Sequence, residues 1–199
     1  APHLNHMMME PPAAVASVTG EACEIWAPTQ DPQSLIPMAA AVTGLPEDKI
    51  RVNMTLCGGA FGRKGKGDYA DEAGRLSKAV GAPVKVQWSR EDEVRHGYYH
   101  TVSAQHLAAA LDGDGNVTGW RHRLAYPTIF SIFNPDANSP QTLELGLGAL
   151  TLPYAVDSIR LEKGSSPAKV RIGWLRSVCA IFQSFAINGF TDEIAHARG

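Results

Sequence analysis

The amino-acid sequence predicts an α+β fold, with mixed sheets and helices packed on them. Three observations carry this expectation. Runs of period-two alternation and runs of helical spacing both occur, they follow one another without strict alternation, and a strong hairpin signal lies among them. The chain has 199 residues, 44% of them hydrophobic, enough to bury a core and make one domain or one and a half. Residues 1–199 are read as one domain, with a sub-boundary near 127–157, where Pro, Asn and Ser cluster.

The elements follow in order. Val15 to Ala27 reads as two short strands around Thr19-Gly20, and period two puts Cys23, Ile25 and Ala27 on one face. Asp31-Pro32 opens a helix, because aspartate accepts from the free N–H groups of a first turn and proline needs no acceptor there. Leu35, Met38, Ala39 and Val42 continue it at helical spacing until Gly44, and Pro37 falls early enough to be tolerated. Pro46-Glu47-Asp48 then turns the chain into a strand from Lys49 to Leu56. Tyr69 to Val80 reads as a helix with Ala73, Leu76 and Val80 inward and Gly81 as its stop.

Pro83 to Trp88 is a further strand, and Arg90 to His96 a short charged helix. His100 to Leu111 and Val117 to Tyr126 flank Asp112-Gly113-Asp114-Gly115-Asn116, a set of turn residues that predicts a hairpin. Pro127 to Tyr154 is irregular, Ser158 to Lys163 is a strand, and Phe182 to Ala197 is a helix with Phe185, Phe190 and Ile194 inward.

Composition excludes some functions. A formal charge of -2 with no basic stripe argues against a nucleic-acid partner. No apolar run approaches the ~20 residues needed to span a bilayer. The start, Ala1-Pro2-His3-Leu4-Asn5-His6, has neither a charged n-region nor an apolar h-region, and no initiator Met, so a processed chain or an excised piece is expected. The compartment stays open between cytoplasm and a periplasmic or membrane-associated setting. Cys23, Cys57 and Cys179 share no ligand spacing and are expected to be isolated, buried thiols.

The chemistry concentrates in Cys57-Gly58-Gly59-Ala60-Phe61-Gly62-Arg63-Lys64, directly after a strand. Glycine permits φ > 0 and brings bare N–H groups close to a ligand, and one phenylalanine with two cations suits a flat, phosphate-bearing cofactor. A plain structural turn is equally compatible with these residue types. Gln30 ends a strand where a helix begins, so its amide can donate to and accept from a ligand or bond local backbone. Arg176, in Trp174-Leu175-Arg176-Ser177 before the last helix, can fork onto phosphate oxygens or form a surface ion pair.

Other patterns fail. The loop has no Walker A spacing. Gly65-Lys66-Gly67-Asp68-Tyr69-Ala70 matches a relaxed dinucleotide fingerprint, but its first glycine should close the preceding strand, and Cys57 to Lys64 intervenes. A nicotinamide-binding dehydrogenase on Gly65 to Ala70 remains one alternative, and a non-catalytic assembly or scaffold domain another. Asp112, Asp114 and Asn116 mimic a calcium loop without its glycine or its final glutamate. His3 with His6, and His96 with His100, have metal-compatible spacing without acidic or cysteine partners, so no metal ligand is assigned, and no catalytic residue either.

Taken in order, several of these segments resemble the molybdenum-binding subunit of the xanthine dehydrogenase/aldehyde oxidase family. The likeness is to the branch typified by the large (beta) chain of isoquinoline 1-oxidoreductase and by membrane-associated aldehyde dehydrogenases. His6-Met7-Met8-Met9-Glu10-Pro11, Trp26-Ala27-Pro28-Thr29-Gln30, Gly58-Gly59-Ala60-Phe61-Gly62-Arg63-Lys64, Val86-Gln87-Trp88-Ser89-Arg90-Glu91-Asp92 and Trp174-Leu175-Arg176-Ser177-Val178 carry it, with Phe190-Thr191-Asp192-Glu193-Ile194-Ala195.

The resemblance implies that Gln30 bonds near the metal's oxo group, that Gly58, Gly59, Ala60, Phe61 and Gly62 border the molybdopterin, and that Arg176 lies near the pterin or its phosphates. It implies hydroxylation of an aldehyde or N-heteroaromatic carbon with water as oxygen source, and a molybdenum–molybdopterin cofactor in its cytosine dinucleotide form. It further implies [2Fe–2S] clusters on a small iron–sulfur partner subunit, followed by a cytochrome c subunit. The family's general base is a glutamate in a Gly-Glu motif beyond the last matched segment, so this chain is expected to be a fragment, inactive alone. Cys179 stands where the family has glycine, and is expected to crowd the pterin edge.

Overall fold

The structure, a computed structural model, describes residues 3–199. It divides into two compact units, one of Asn5–Gly97 and one of residues 3–4 with Tyr98–Gly199. The expected α+β class holds in both. The division falls at Gly97 and Tyr98, and residues 127–157 lie wholly inside the second unit.

In the first unit β1 (Ala13–Val18), β2 (Cys23–Ala27), β3 (Ile50–Met54) and β4 (Val84–Gln87) form a sheet in the order β3-β2-β1-β4. β1 pairs antiparallel with β2 and β4, whereas β2 and β3 run parallel, joined by the crossover helix α1 (Pro32–Thr43). Asp31 caps α1 by accepting from the Ser34 N–H at 3.2 Å, and Gly44 ends it at φ 79°. α2 (Asp68–Val80) ends at Gly81, also left-handed, and α3 (Arg90–His96) starts with a Ser89–Asp92 capping box.

Cys23, Ile25 and Ala27 face inward as expected, against Leu35 and Ala39 of α1 and Tyr69, Ala70 and Ala73 of α2. Leu76 and Val80, expected inward, are exposed, and the inner stripe of α2 is Tyr69, Ala70, Ala73, Gly74 and Ser77. Ser77 can be buried because its hydroxyl accepts from the Val18 N–H at 2.9 Å and donates to the Ala82 carbonyl at 2.8 Å.

In the second unit β5 (Ala104–Leu111) and β6 (Val117–Ala125) make the expected hairpin, and β7 (Ser158–Gly164) pairs parallel to β6. The Asp112 carboxylate accepts from the Asp114 and Asn116 backbone N–H groups at 3.0 and 2.8 Å, which makes 112–116 a turn. α5 (Ala180–Arg198) packs on this sheet through Phe190 against Trp120 and Phe182 against Tyr126, with ring centroids 5.0 and 4.8 Å apart. Phe185, expected inward, is 82% exposed, and Gln183 and Ile187 are the buried residues of α5.

The irregular stretch before β7 contains a 3-10 turn at Ile129–Ile132 and a short helix, α4 (Thr142–Leu145), and is organised by Glu144, which is fully buried. The Glu144 carboxylate accepts from Thr128 Oγ1 at 2.6 Å, from the Ile129 N–H at 2.9 Å and from the Gln141 N–H at 2.8 Å. Cys179 belongs to the core beside it, with Leu124, Tyr126, Leu145 and Ala149. Burial, with the Glu144 charge, pushes its thiol up to about 12, which keeps Cys179 protonated and unreactive within this core. Cys23 is buried as expected, but Cys57 is exposed, because β3 ends at Met54 and the chain that follows lies open.

Candidate functional site

Because β2 and β3 are parallel, both leave the sheet at the same edge, their last register pair being Ala27 with Met54. The carboxyl ends of adjacent parallel strands are where an open sheet offers room to a ligand. The Thr55 N–H still donates to the Ala27 carbonyl at 3.2 Å, so the Gln30 turn and the glycine loop start side by side.

Two of the loop's glycines lie in close approach to the N-terminal arm. A Cβ at Gly59 would lie 2.9 Å from Met9 Sδ, and one at Gly58 would lie 3.2 Å from Glu10 Cβ. The loop reverses at Phe61 and Gly62, with φ 56° and 101°. The N-terminal arm braces it: the Met9 N–H donates to the Gly59 carbonyl at 2.8 Å, and the Gly58 N–H donates to Glu10 Oε2 at 3.3 Å.

Gln30 Oε1 accepts from the Gly62 N–H at 3.1 Å, while its own N–H donates to the Lys64 carbonyl at 3.0 Å. Its Nε2 donates to nothing among the described residues, nor do the backbone N–H groups of Gly59, Ala60 and Phe61. These amides form a row of donors without internal acceptors, next to a side-chain amide.

The two cations that close the loop turn inward instead. Lys64 has a side-chain exposure of 0% and its Nζ pairs with Glu10 Oε2. That ammonium, with the Gly58 N–H, holds the Glu10 carboxyl below its ordinary value. Arg63 forks onto Asp68, both distances 2.7 Å, with its guanidinium 5.5 Å from the centre of the Trp88 ring. The sequence suggests these as cations for a ligand, whereas the structure commits both to carboxylates and adds Glu10 to the site. The signal available was the acidic residue of the His6–Pro11 segment, whose partner lies far along the chain.

Arg176 belongs to the second unit, in the exposed turn before α5. It makes no hydrogen bond or ion pair among the described residues. The two residues after it, Ser177 and Val178, take φ 69° and 47°, positions that cost a non-glycine residue on the order of 1–2 kcal/mol each. The structure thus brings Gln30 and Gly58 to Gly62 together, and holds Arg176 in a different unit.

The dinucleotide fingerprint is not seated at a strand end, since β3 stops at Met54, well before Gly65. Gly67 is instead a packing glycine, where a Cβ would lie 2.2 Å from Leu35 Cδ2. His3 and His100 bond backbone, His3 Nδ1 to the His100 carbonyl at 2.8 Å and His100 Nε2 to the Val178 carbonyl at 3.1 Å.

The chain is similar to known proteins over its whole length. The chain is 28% identical over 204 residues to one of the subunits of nicotinate dehydrogenase from Pseudomonas putida, covering 100% of this chain and 17% of that protein. It is 30% identical over 202 residues to a membrane-bound aldehyde dehydrogenase (pyrroloquinoline-quinone) of Gluconacetobacter polyoxogenes, covering 97% of this chain and 26% of that protein. It therefore spans about a sixth to a quarter of the length of these relatives. The fold is that of quinoline 2-oxidoreductase from Pseudomonas putida 86, with a TM-score of 0.80 at 23% identity over 99% of this chain and 25% of that one. The family model described as the molybdopterin cofactor-binding domain matches residues 1–199, and the chain belongs to that family.

Proposed function

We propose that this chain forms part of the cofactor wall in the large subunit of a molybdenum hydroxylase that oxidises aldehydes or N-heteroaromatic compounds with water as oxygen donor. The observation that carries the reading is the row of unengaged N–H donors at Gly59, Ala60 and Phe61, in a loop braced by Glu10 and Gln30. Such a row fits an electron-rich, anionic group and offers little to an apolar one. When bound, the molybdenum carried by molybdopterin would supply the two-electron redox chemistry.

This chain's own residues bind and orient. Gln30 holds the loop through Oε1 and offers its Nε2 donors to the ligand. Gly58 to Gly62 would line the pterin edge, with the Phe61 ring on the side of the metal. Arg176 supplies the exposed cation for the phosphates of a dinucleotide form, read as the cytosine one. Electrons leave through [2Fe–2S] clusters on a small iron–sulfur subunit and on to a cytochrome c subunit. The named relatives point to the two substrate classes, one through nicotinate and one through aldehydes.

The test is molybdenum by ICP mass spectrometry, with released pterin by fluorescence, on protein from the complete open reading frame produced with its neighbouring iron–sulfur subunit. About one molybdenum per large subunit is expected. No molybdenum under conditions that load a known hydroxylase would overturn the reading, and a quinone-carrying protein would give that result.

A further inference from the structure

A lysine that follows a glycine-rich loop ordinarily reads as a phosphate ligand, because the loop's amides and the ammonium then share one anion. Lys64 does not have that geometry. Its side chain is fully buried, and its Nζ is bound to Glu10 Oε2. We propose that Lys64 and Glu10 are positioning residues, which hold the donor row of the loop open for a ligand that neither of them touches. The inference rests on the reading of the loop as a cofactor wall.

Four contacts converge on the pair. The Glu10 carboxylate takes the Lys64 ammonium and the Gly58 N–H on the same oxygen. The Lys64 carbonyl accepts from the Gln30 N–H at 3.0 Å and from Thr29 Oγ1 at 3.1 Å. One residue therefore joins the N-terminal arm, the exit of β2 and the glycine loop, three segments far apart in sequence. Thr29 is buried, so the anchor on the β2 side is shielded from water.

The chemistry opposes a ligand role for the ammonium. The fully buried Lys64 ammonium has no water to replace the Glu10 carboxylate, so drawing it away from that partner is unfavourable. Lys64 moving toward a phosphate would also take the charged partner from Glu10, which orders Gly58. The amides of Gly59, Ala60 and Phe61 are left to meet the ligand, while Gly58 and Gly62 are spent on Glu10 and Gln30. Donors at either end of the row are fixed so that those between them stay free.

A double-mutant cycle in the complete protein, purified with its partner subunits, tests the proposal. Two readouts are used: pterin released per chain, and hydrogen–deuterium exchange of residues 57–62 in cofactor-free protein. Lys64→Met is expected to lower pterin content about 10- to 100-fold, the range for residues that orient a ligand's direct contacts. It is also expected to quicken exchange in the loop before any cofactor is present. Adding Glu10→Gln removes the orphaned charge but keeps an oxygen for the Gly58 N–H, and should restore content to within about threefold of wild type.

The same rescue must appear from the other corner, with Glu10→Gln alone poorer than the double variant, so the cycle survives a Lys64→Met protein that fails to fold. A phosphate-binding lysine behaves in the opposite way. The double variant would then load no better than Lys64→Met, Glu10→Gln alone would load normally, and cofactor-free exchange would not change; that pattern overturns the proposal. Wild-type protein that carries no pterin would overturn the cofactor reading, and the exchange rates of the cofactor-free variants would still decide whether the pair holds the loop.

Discussion

The two units each contain a left-handed reversal beside an arginine, and they use it in opposite ways. In the first unit the turn is built with glycine at Gly62, φ 101°, and the adjacent Arg63 and Lys64 are buried on carboxylates. In the second unit Ser177 and Val178 take φ 69° and 47° without glycine, and the adjacent Arg176 stays exposed. The glycine loop, which looks cationic in sequence, therefore offers neutral amides. The glycine-poor turn is the one that offers a charge. Adjacency to a glycine-rich loop says little about which cation is available, because a buried cation is committed to its counter-ion.

The largest test of this contrast compares the two arginines. Arg63→Ala should destabilise the protein by about 3–5 kcal/mol, because it strands the Asp68 carboxylate and removes a buried fork. Arg176→Ala should leave the denaturation midpoint unchanged while lowering pterin content about tenfold, the loss of a charge-assisted contact. Urea denaturation and pterin release measure both; a stable Arg63→Ala protein, or a normally loaded Arg176→Ala protein, would break the contrast.

A smaller test exchanges the turn chemistry. Gly62→Ala should cost on the order of 1–2 kcal/mol at its positive φ, whereas Ser177→Gly should add up to about 1 kcal/mol by relieving the same strain. Equilibrium unfolding of the two variants should move in opposite directions.

The smallest effect is in acid. The Glu10 carboxyl titrates below its ordinary value of 4.5 because of Lys64, so the pair's contribution is complete above that pH and is lost as pH falls through the lowered value. Glu10→Gln should flatten the acid limb of the stability profile and leave its neutral region parallel to wild type.

Much of the fold is legible in the sequence where local rules decide. Asp31, Gly44 and Gly81 mark helix ends through their own side chains or their freedom at positive φ. Period two identifies Cys23, Ile25 and Ala27 because that strand has one face in the core. The errors share a different cause. On α2 and α5 the apolar pattern points to Leu76, Val80 and Phe185, yet these are exposed while the polar Ser77 and Gln183 are among the buried residues. Both are buried because their polar atoms are matched, Gln183 by the Ala149 N–H and the Glu144 carbonyl. Such partners lie 34 and 39 residues away, and no hydropathy pattern carries them.

The site follows the same division. Gln30 and the glycines stood out because strand ends and glycine have local signatures. Glu10 did not, since its role exists only once Lys64, 54 residues later, is folded against it.

The wiring around Glu144 has a consequence for how this protein would fail. Two backbone donors and one hydroxyl from an otherwise irregular stretch end on a single carboxylate, so that stretch has no redundancy of the kind a strand ladder provides. Damage there would release several turns at once rather than fray one. Its mark in a cell would be faster turnover by proteases and a lower steady-state abundance, with the surviving molecules binding their ligand normally. Variation at such a position is a question of dosage rather than of specificity.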